Sequence, residues 1–298
     1  MNDTPRSMLF VSGEKPERFA KAMAAGADLV CIDLEDAVHA TRKADARREA
    51  FAFASQRSTT EVRGAGLAVR LNGLRTREGL ADVMALIESG VKLDYLVLPK
   101  VEHAQDLSLI HDWASGSFTA LTALVETPLG IENAAAMAAG VRHGAPRLAA
   151  LMLGGADLSV ELGAAFDWAG LLSARGRLVN AARSAGLQAW DVPHLDLEDL
   201  PGLANETQAV LRMGFGCKAA IHPLQVPVIH SAFQPPDSEV RWARALTEAH
   251  AAREATPQAA GAFLFEGKMV DAPVLAKARR IVRLAAGSGE APAPDGAA

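Results

Sequence analysis

The chain has 298 residues, half of them hydrophobic and 22% charged, with a net charge of −5 at pH 7. That is enough apolar material for one large core or two small ones, and it excludes a wholly disordered chain. The acidic balance, with no basic stripe interleaved with aromatics, argues against a nucleic-acid binder, and no apolar run reaches the roughly 18–20 residues of a membrane span. The start, MNDTPRSMLFVSG, enters a strand-like run without the basic region and apolar core of a secretory leader, so a cytoplasmic protein is expected.

In chain order, apolar runs alternate with amphipathic stretches. SMLFVSG leads to PERFAKAMAAG, where Pro16 suits a first helical turn and Gly26 a stop. DLVCIDLED precedes the charged TRKADARREAFAFA, LAVRLNG precedes GLADVMALIESG, and YLVLPKV precedes AQDLSLIHDWA. FTALTALVET leads to IENAAAMAAG, and RLAALMLGG leads, after a loop, to GLLSARGRLVNAARSAG. LQAWDVP precedes a helix expected from about Asp196 to Met213, and CKAAIHP precedes QVPVIHSAF. These are eight strand–helix units. Their strands read as continuous Val/Leu/Ile/Ala runs, as parallel strands buried on both faces do. The expected fold is a (β/α)₈ TIM barrel over residues 5–234, with a doubly wound open sheet as the alternative.

A further segment, 235–284, carries the helix SEVRWARALTEAHAAREA, a short AFLFEGKMV element and the helix PVLAKARRIVRLAA, and reads as a helical lid extension. The small, Pro-rich tail 285–298 is expected to be disordered. Cys31 and Cys217, the two cysteines, lie in apolar stretches without CxxC spacing and read as reduced core thiols.

Three polar residues stand just after strand-like runs: Arg70 ends LAVR, Glu126 ends LTALVE, and Asp157 follows LAALMLGGA. In a β/α chain, the strand ends on one side of the sheet open onto one crevice, so a guanidinium and two carboxylates would converge there. The eight histidines show no HxH or HExxH spacing, so the carboxylates point to Mg²⁺, with Mn²⁺ as a substitute, rather than zinc or iron. Gly154 and Gly155 would let the backbone approach whatever is bound. The plainer reading makes Glu126 a residue favoured by a helix dipole and Asp157 a turn cap. Arg70 would grip a substrate carboxylate or carbonyl bidentately, or else pair with Asp33 or Glu35. Asp33, Glu35 and Asp36 end the second strand, either as a solvated end or as groups orienting waters on the cation. Gly13, Lys15, Arg18 and Lys21 form a basic cluster that suits phosphates or simply a solvated helix face. His222 reads as structural, and Asp271, two residues before Pro273, as a helix N-cap.

With these motifs in hand, the chain resembles the citrate lyase β-subunit-like (CitE-like) branch of the HpcH/HpaI aldolase superfamily. The resemblance runs from about Arg6 to Leu284 through RSMLFVSGEKPERFAKAMAAGAD, DLVCIDLEDAV, VRLNG, LVETPLGIENA, GGADLSVELG, GCKAAIHPLQV and EGKMVDAP. It implies a (β/α)₈ barrel with Mg²⁺ held by Glu126 and Asp157, and with Arg70 binding substrate. It also implies a homotrimer or a multiple such as a hexamer, in which Asp271 acts as acid/base on a lid reaching a neighbour's site. The implied activity is cleavage of a β-hydroxyacyl thioester, on CoA or an acyl carrier, to an α-keto acid and an acyl thioester. Three departures stand out. Ser12 replaces a usual proline, Trp190 in AWDVP replaces a smaller residue near the mouth, and Asp36 stands where the pyruvate-enolate aldolases carry a catalytic histidine. The rivals are such an aldolase acting on free 2-keto acids, and a subunit competent only with acyl-carrier partners.

Overall fold

The computed structural model describes residues 4–57, 64–140, 148–254 and 262–285; the expected disordered tail lies, but for Ala285, outside them. The chain divides into two units, one formed by Pro5–His230 and the other by Ser231–Ala298 with Met1–Thr4.

In the first unit eight parallel strands close into a barrel: β1 Ser7–Ser12, β2 Leu29–Asp33, β3 Gly66–Arg70, β4 Leu93–Leu98, β5 Phe118–Val125, β6 Leu148–Leu153, β7 Gln188–Asp191 and β8 Cys217–Ala220. The pairing of β1 with β8 completes the ring and removes the open-sheet alternative. The connecting helices are α1 Phe19–Met23, α2 Lys43–Gln56, α3 Arg77–Ser89, α4 Ala104–Ala114, α5 Pro128–Gly140, α6 Gly155–Leu162, α7 Trp168–Ser184, α8 Leu200–Met213 and α9 Gln225–Phe233. The helix expected from Asp196 starts at Leu200. The Asp199 carboxylate caps it by accepting from Gly202 N–H at 2.8 Å, and Pro201 takes the first turn.

The barrel interior is filled by Met8, Leu29, Cys31, Ala68, Val97, Leu124, Ala150, Met152, Trp190, Cys217 and Ala219. Trp190, expected near the mouth, is instead fully buried here, its ring 5.3 Å from that of Tyr95. Its bulk fits because β3, β6 and β8 contribute alanines to the same core. Both cysteines are free and buried, and burial raises both thiol pKa values, so neither is a nucleophile.

One position along from Trp190, Asp191 points out of the barrel into a buried charge cluster. It accepts from Arg175 Nε at 2.9 Å and from Lys218 Nζ at 2.7 Å, and both cations also reach Glu206. Burial opposes its ionisation, but the Lys218 and Arg175 charges lower the Asp191 pKa on balance.

In the second unit, α10 (Asp237–Glu254) and α11 (Ala272–Ala285) pack with a hairpin of β9 (Phe263–Phe265) and β10 (Lys268–Val270). Glu266 and Gly267 both have positive φ, 49° and 75°, as a tight hairpin turn needs. A small core of Ala243, Leu246, Phe263, Val270, Ala278 and Ile281 holds these elements together.

Candidate active site

Inward-facing positions recur every second residue along a strand. On β2 the inward residues Leu29 and Cys31 are followed by Asp33; on β3 Ala68 is followed by Arg70. On β5 Leu124 is followed, one residue past the strand, by Glu126. The alternation that fills the barrel with apolar side chains thus tops it with a guanidinium and two carboxylates. Asp33 and Arg70 are register neighbours. Asp157 arrives differently: the expected turn is helix α6, and Asp157 sits in its first turn, where negative charge is favoured. Asp33, Arg70, Glu126 and Asp157 line one cavity of about 380 Å³, whose remaining wall includes Phe10, Leu124, Met152, Phe166 and Val192.

Arg70 is clamped. Its Nε and Nη2 each donate to Asp33 at 2.7 Å, and Nη1 lies 3.1 Å from Glu35 and 3.3 Å from Asp36. Its guanidinium also stacks over Phe10, 5.3 Å from the ring centre. The pairing with Asp33 and Glu35 considered from sequence is therefore present. These contacts engage at most four of its five N–H groups, and Arg70 still lines the cavity. Burial would raise the Asp33 pKa, but Arg70 and the N–H groups of Glu35 and Ala37 bring it below the ordinary carboxylate value. Glu35 goes the other way, raised chiefly by burial, with Asp36 adding to the rise and Arg70 and Lys100 opposing it.

Glu126 is 3% exposed, and its Oε1 accepts the Lys100 backbone N–H at 2.8 Å. Burial first, then the Glu35 charge, push its pKa up to about 8, against the pull of Arg70. A carboxylate so placed calls for positive charge nearby. Gly154 leaves room for the Glu126 side chain, since a Cβ there would collide with it. The approach expected of Gly154 is thus made to Glu126 itself, while Gly155 packs against Leu171, Val192 and Phe166. Two hard oxygen donors at one cavity fit Mg²⁺, which takes one or two carboxylates and completes its shell with water or substrate oxygens.

Sequence reasoning missed Lys100. It stands just past β4, and its Nζ lies 3.1 Å from both Glu35 Oε1 and Asp157 Oδ2. The signal was a lysine directly after the YLVLP run, at the same rim as the other strand ends. Lys43 was missed too; its Nζ donates to the carbonyls of Leu34 and Glu35 and to Asn72 Oδ1, propping the acidic loop.

The remaining candidates do not line this cavity. His222 Nδ1 accepts from Leu224 N–H at 3.2 Å, a local turn contact. Asp271 belongs to the second unit, where its carboxylate accepts from Val274 N–H at 3.2 Å, the geometry of an N-cap. Lys15, Arg18 and Lys21 line a second hollow of about 550 Å³ that shares Phe10, Asp33, Ala37 and Ile221 with the first. Ser12 donates its hydroxyl to the Ala37 carbonyl at 2.6 Å, a bond the usual proline could not make. Gly13 N–H donates to the Asp33 carbonyl at 2.9 Å, and the approach is so close that a Cβ at Gly13 would lie 2.9 Å from that oxygen.

The chain is similar to known proteins. The citrate lyase subunit beta of Escherichia coli K12 is 35% identical over 297 residues, covering 96% of this chain and 95% of that protein. The mitochondrial citramalyl-CoA lyase of Rattus norvegicus is 30% identical over 298 residues, covering 94% and 86%. Among solved structures, CitE from Mycobacterium tuberculosis in complex with magnesium, acetoacetate and coenzyme A matches with a TM-score of 0.79 at 33% identity, covering 96% of this chain and 100% of that one. Residues 6–223 match the family model of HpcH/HpaI aldolase/citrate lyase, and the chain belongs to that family.

Proposed function

We propose that this protein is a Mg²⁺-dependent carbon–carbon lyase that cleaves a β-hydroxyacyl thioester of the citramalyl-, malyl- or citryl-CoA type into an α-keto acid and an acyl thioester. The observation that carries it is the convergence of Glu126 and Asp157 beside Arg70 in one cavity. Glu126 and Asp157 would hold the ion, which supplies Lewis-acid polarisation of the oxygen that becomes the ketone. Arg70, aimed by Asp33, stabilises oxyanion charge on the keto acid side. As the hydroxyl proton passes to solvent water, the bond between the carbinol carbon and the carbon α to the thioester breaks. The electron pair passes to the thioester as an enolate, which Asp271 in its acid form protonates before regaining its own proton from solvent.

The hollow with Lys15, Arg18 and Lys21, which shares lining residues with the site cavity, supports a long, phosphate-bearing thioester carrier such as CoA. Asp36, in place of a histidine, weighs against the pyruvate-enolate aldolase reading. Two buried free thiols suit a reducing compartment, and among the described residues no helix is long and apolar enough to cross a membrane; we assign the protein to the cytoplasm. We assign Asp271 to the site of an adjacent subunit in a homotrimer or hexamer. The test is the purified chain with Mg²⁺ and, separately, citramalyl-, malyl- and citryl-CoA, read as keto acid release. Release from at least one ester is expected. Inactivity on all three, with activity only on addition of acyl-carrier partners, would replace this reading with the dependent-subunit one.

A further inference from the structure

Lys100 has φ 53, in the left-handed region, although it is not glycine. A side chain there is costly, and such strain persists where surrounding contacts over-determine it. Those contacts are all carboxylates. The backbone N–H of Lys100 donates to Glu126 at 2.8 Å, and its ammonium lies 3.1 Å from both Glu35 and Asp157. One residue thus touches groups delivered by the β2, β5 and β6 ends of the barrel. Arg70 shares Glu35 with Lys100 and directs its other ion pairs to Asp33 and Asp36, leaving Asp157 to Lys100. Lys100 does not line the 380 Å³ cavity but borders a separate hollow of about 280 Å³, so it acts on the site through its carboxylates.

We propose that Lys100 is the charge-balancing residue of the site: its ammonium, held between Glu35 and Asp157, offsets the acidic cluster so that the site binds a divalent cation and still admits an anionic keto acid. The inference rests on the reading of Glu126 and Asp157 as the Mg²⁺-holding pair, and deepens it. With every carboxylate ionised, Asp33, Glu35, Asp36, Glu126 and Asp157 carry five negative charges, and Arg70 and Lys100 return two. Adding Mg²⁺ leaves a single excess negative charge for an incoming carboxylate to meet. Without the ammonium that excess doubles, and a charge that repelled the cation is gone. Loss of Lys100 therefore moves the two affinities in opposite directions, whereas loss of a lysine that merely supported the fold would weaken both.

The experiment is calorimetric titration of the full chain, stripped of metal, with Mg²⁺ alone, and then of the Mg²⁺-saturated protein with pyruvate. It compares wild type with Lys100→Met, Lys100→Gly and Lys100→Arg. Lys100→Met should bind Mg²⁺ about tenfold more tightly and pyruvate about tenfold more weakly, each equivalent to about 1.4 kcal/mol. Lys100→Arg keeps the charge and should stay near wild type. Lys100→Gly relieves the positive φ and should repeat the Met result, which keeps the test open if Lys100→Met fails to fold. Affinities that move together, or not at all, in variants that melt like wild type overturn the inference alone. A wild type that takes up no Mg²⁺ overturns the metal reading and this inference with it.

Discussion

Glu126→Gln isolates the cost of burying a carboxylate where function needs one. In the folded protein the Glu126 pKa rises from 4.5 to about 8, first through burial and then through the Glu35 charge. Between those values the folded chain keeps a proton that the unfolded chain has released. The unfolded state therefore binds fewer protons, and stability falls as pH rises through that window. From about pH 5 to about pH 8.5 the shift amounts to about 4 kcal/mol, at about 1.36 kcal/mol per unit. Glutamine does not titrate, and its amide oxygen can still accept the Lys100 N–H. The measurement is urea unfolding of wild type and Glu126→Gln in EDTA across that range. The other groups titrate in both proteins, so the difference between the curves reports Glu126. The variant should gain on wild type by about 4 kcal/mol toward the alkaline end, and there Mg²⁺ should restabilise wild type but not the variant. Parallel pH profiles would refute the reasoning, because the buried carboxyl would then not be titrating where its surroundings require.

Gly154→Ala should fold but lose about 10²-fold in kcat/KM, because its Cβ displaces Glu126, while Gly176→Ala, whose Cβ meets nothing within 4 Å, should leave turnover unchanged. Asp191→Ala should cost about 3–5 kcal/mol in urea unfolding, since it leaves buried Arg175 and Lys218 short of a counter-charge; a loss below about 1 kcal/mol would show that Glu206 alone suffices. Asp271→Ser keeps a capping hydroxyl but no acid, so α11 should stay folded while turnover is lost. Co-assembled with Arg70→Ala, itself inactive, it should regain a fraction of wild-type activity if the lid serves a neighbour, and none after verified subunit exchange if Asp271 acts within its own chain.

The barrel was legible because its signal is repeated: eight apolar runs, each followed by an amphipathic stretch, with glycine and proline at the joints. What was harder to read was which way single residues face. In AWDVP the mouth seemed the natural place for a departure from the family pattern. Period-2 alternation instead turns Trp190 into the barrel and Asp191 out toward α7 and α8. The partners that make an outward aspartate tolerable, Arg175 and Lys218, lie 16 and 27 residues away along the chain, and no local pattern links them to it. The loop after β6 was misread for a related reason. GGADLSVELG opens with two glycines and an aspartate, a turn composition, yet Gly154 serves to clear the Glu126 side chain, and helix α6 begins at once.

At the cavity, the candidates that strand parity alone delivers are Asp33, Arg70 and Glu126, which continue inward alternations already set by the core beneath them. Lys100 escaped because parity does not place it. After Pro99 the chain turns through a positive φ, which sends the N–H toward Glu126 while the side chain runs between Glu35 and Asp157. A propensity reading assigns such a conformation to glycine or asparagine, so a lysine there registers as ordinary surface charge. Physically the mismatch is the clue. A residue that accepts backbone strain, and whose three polar contacts all end on carboxylates from different barrel strands, is held by the site rather than by its own segment. That is why a strained non-glycine at a strand end carries more functional information than the motif around it.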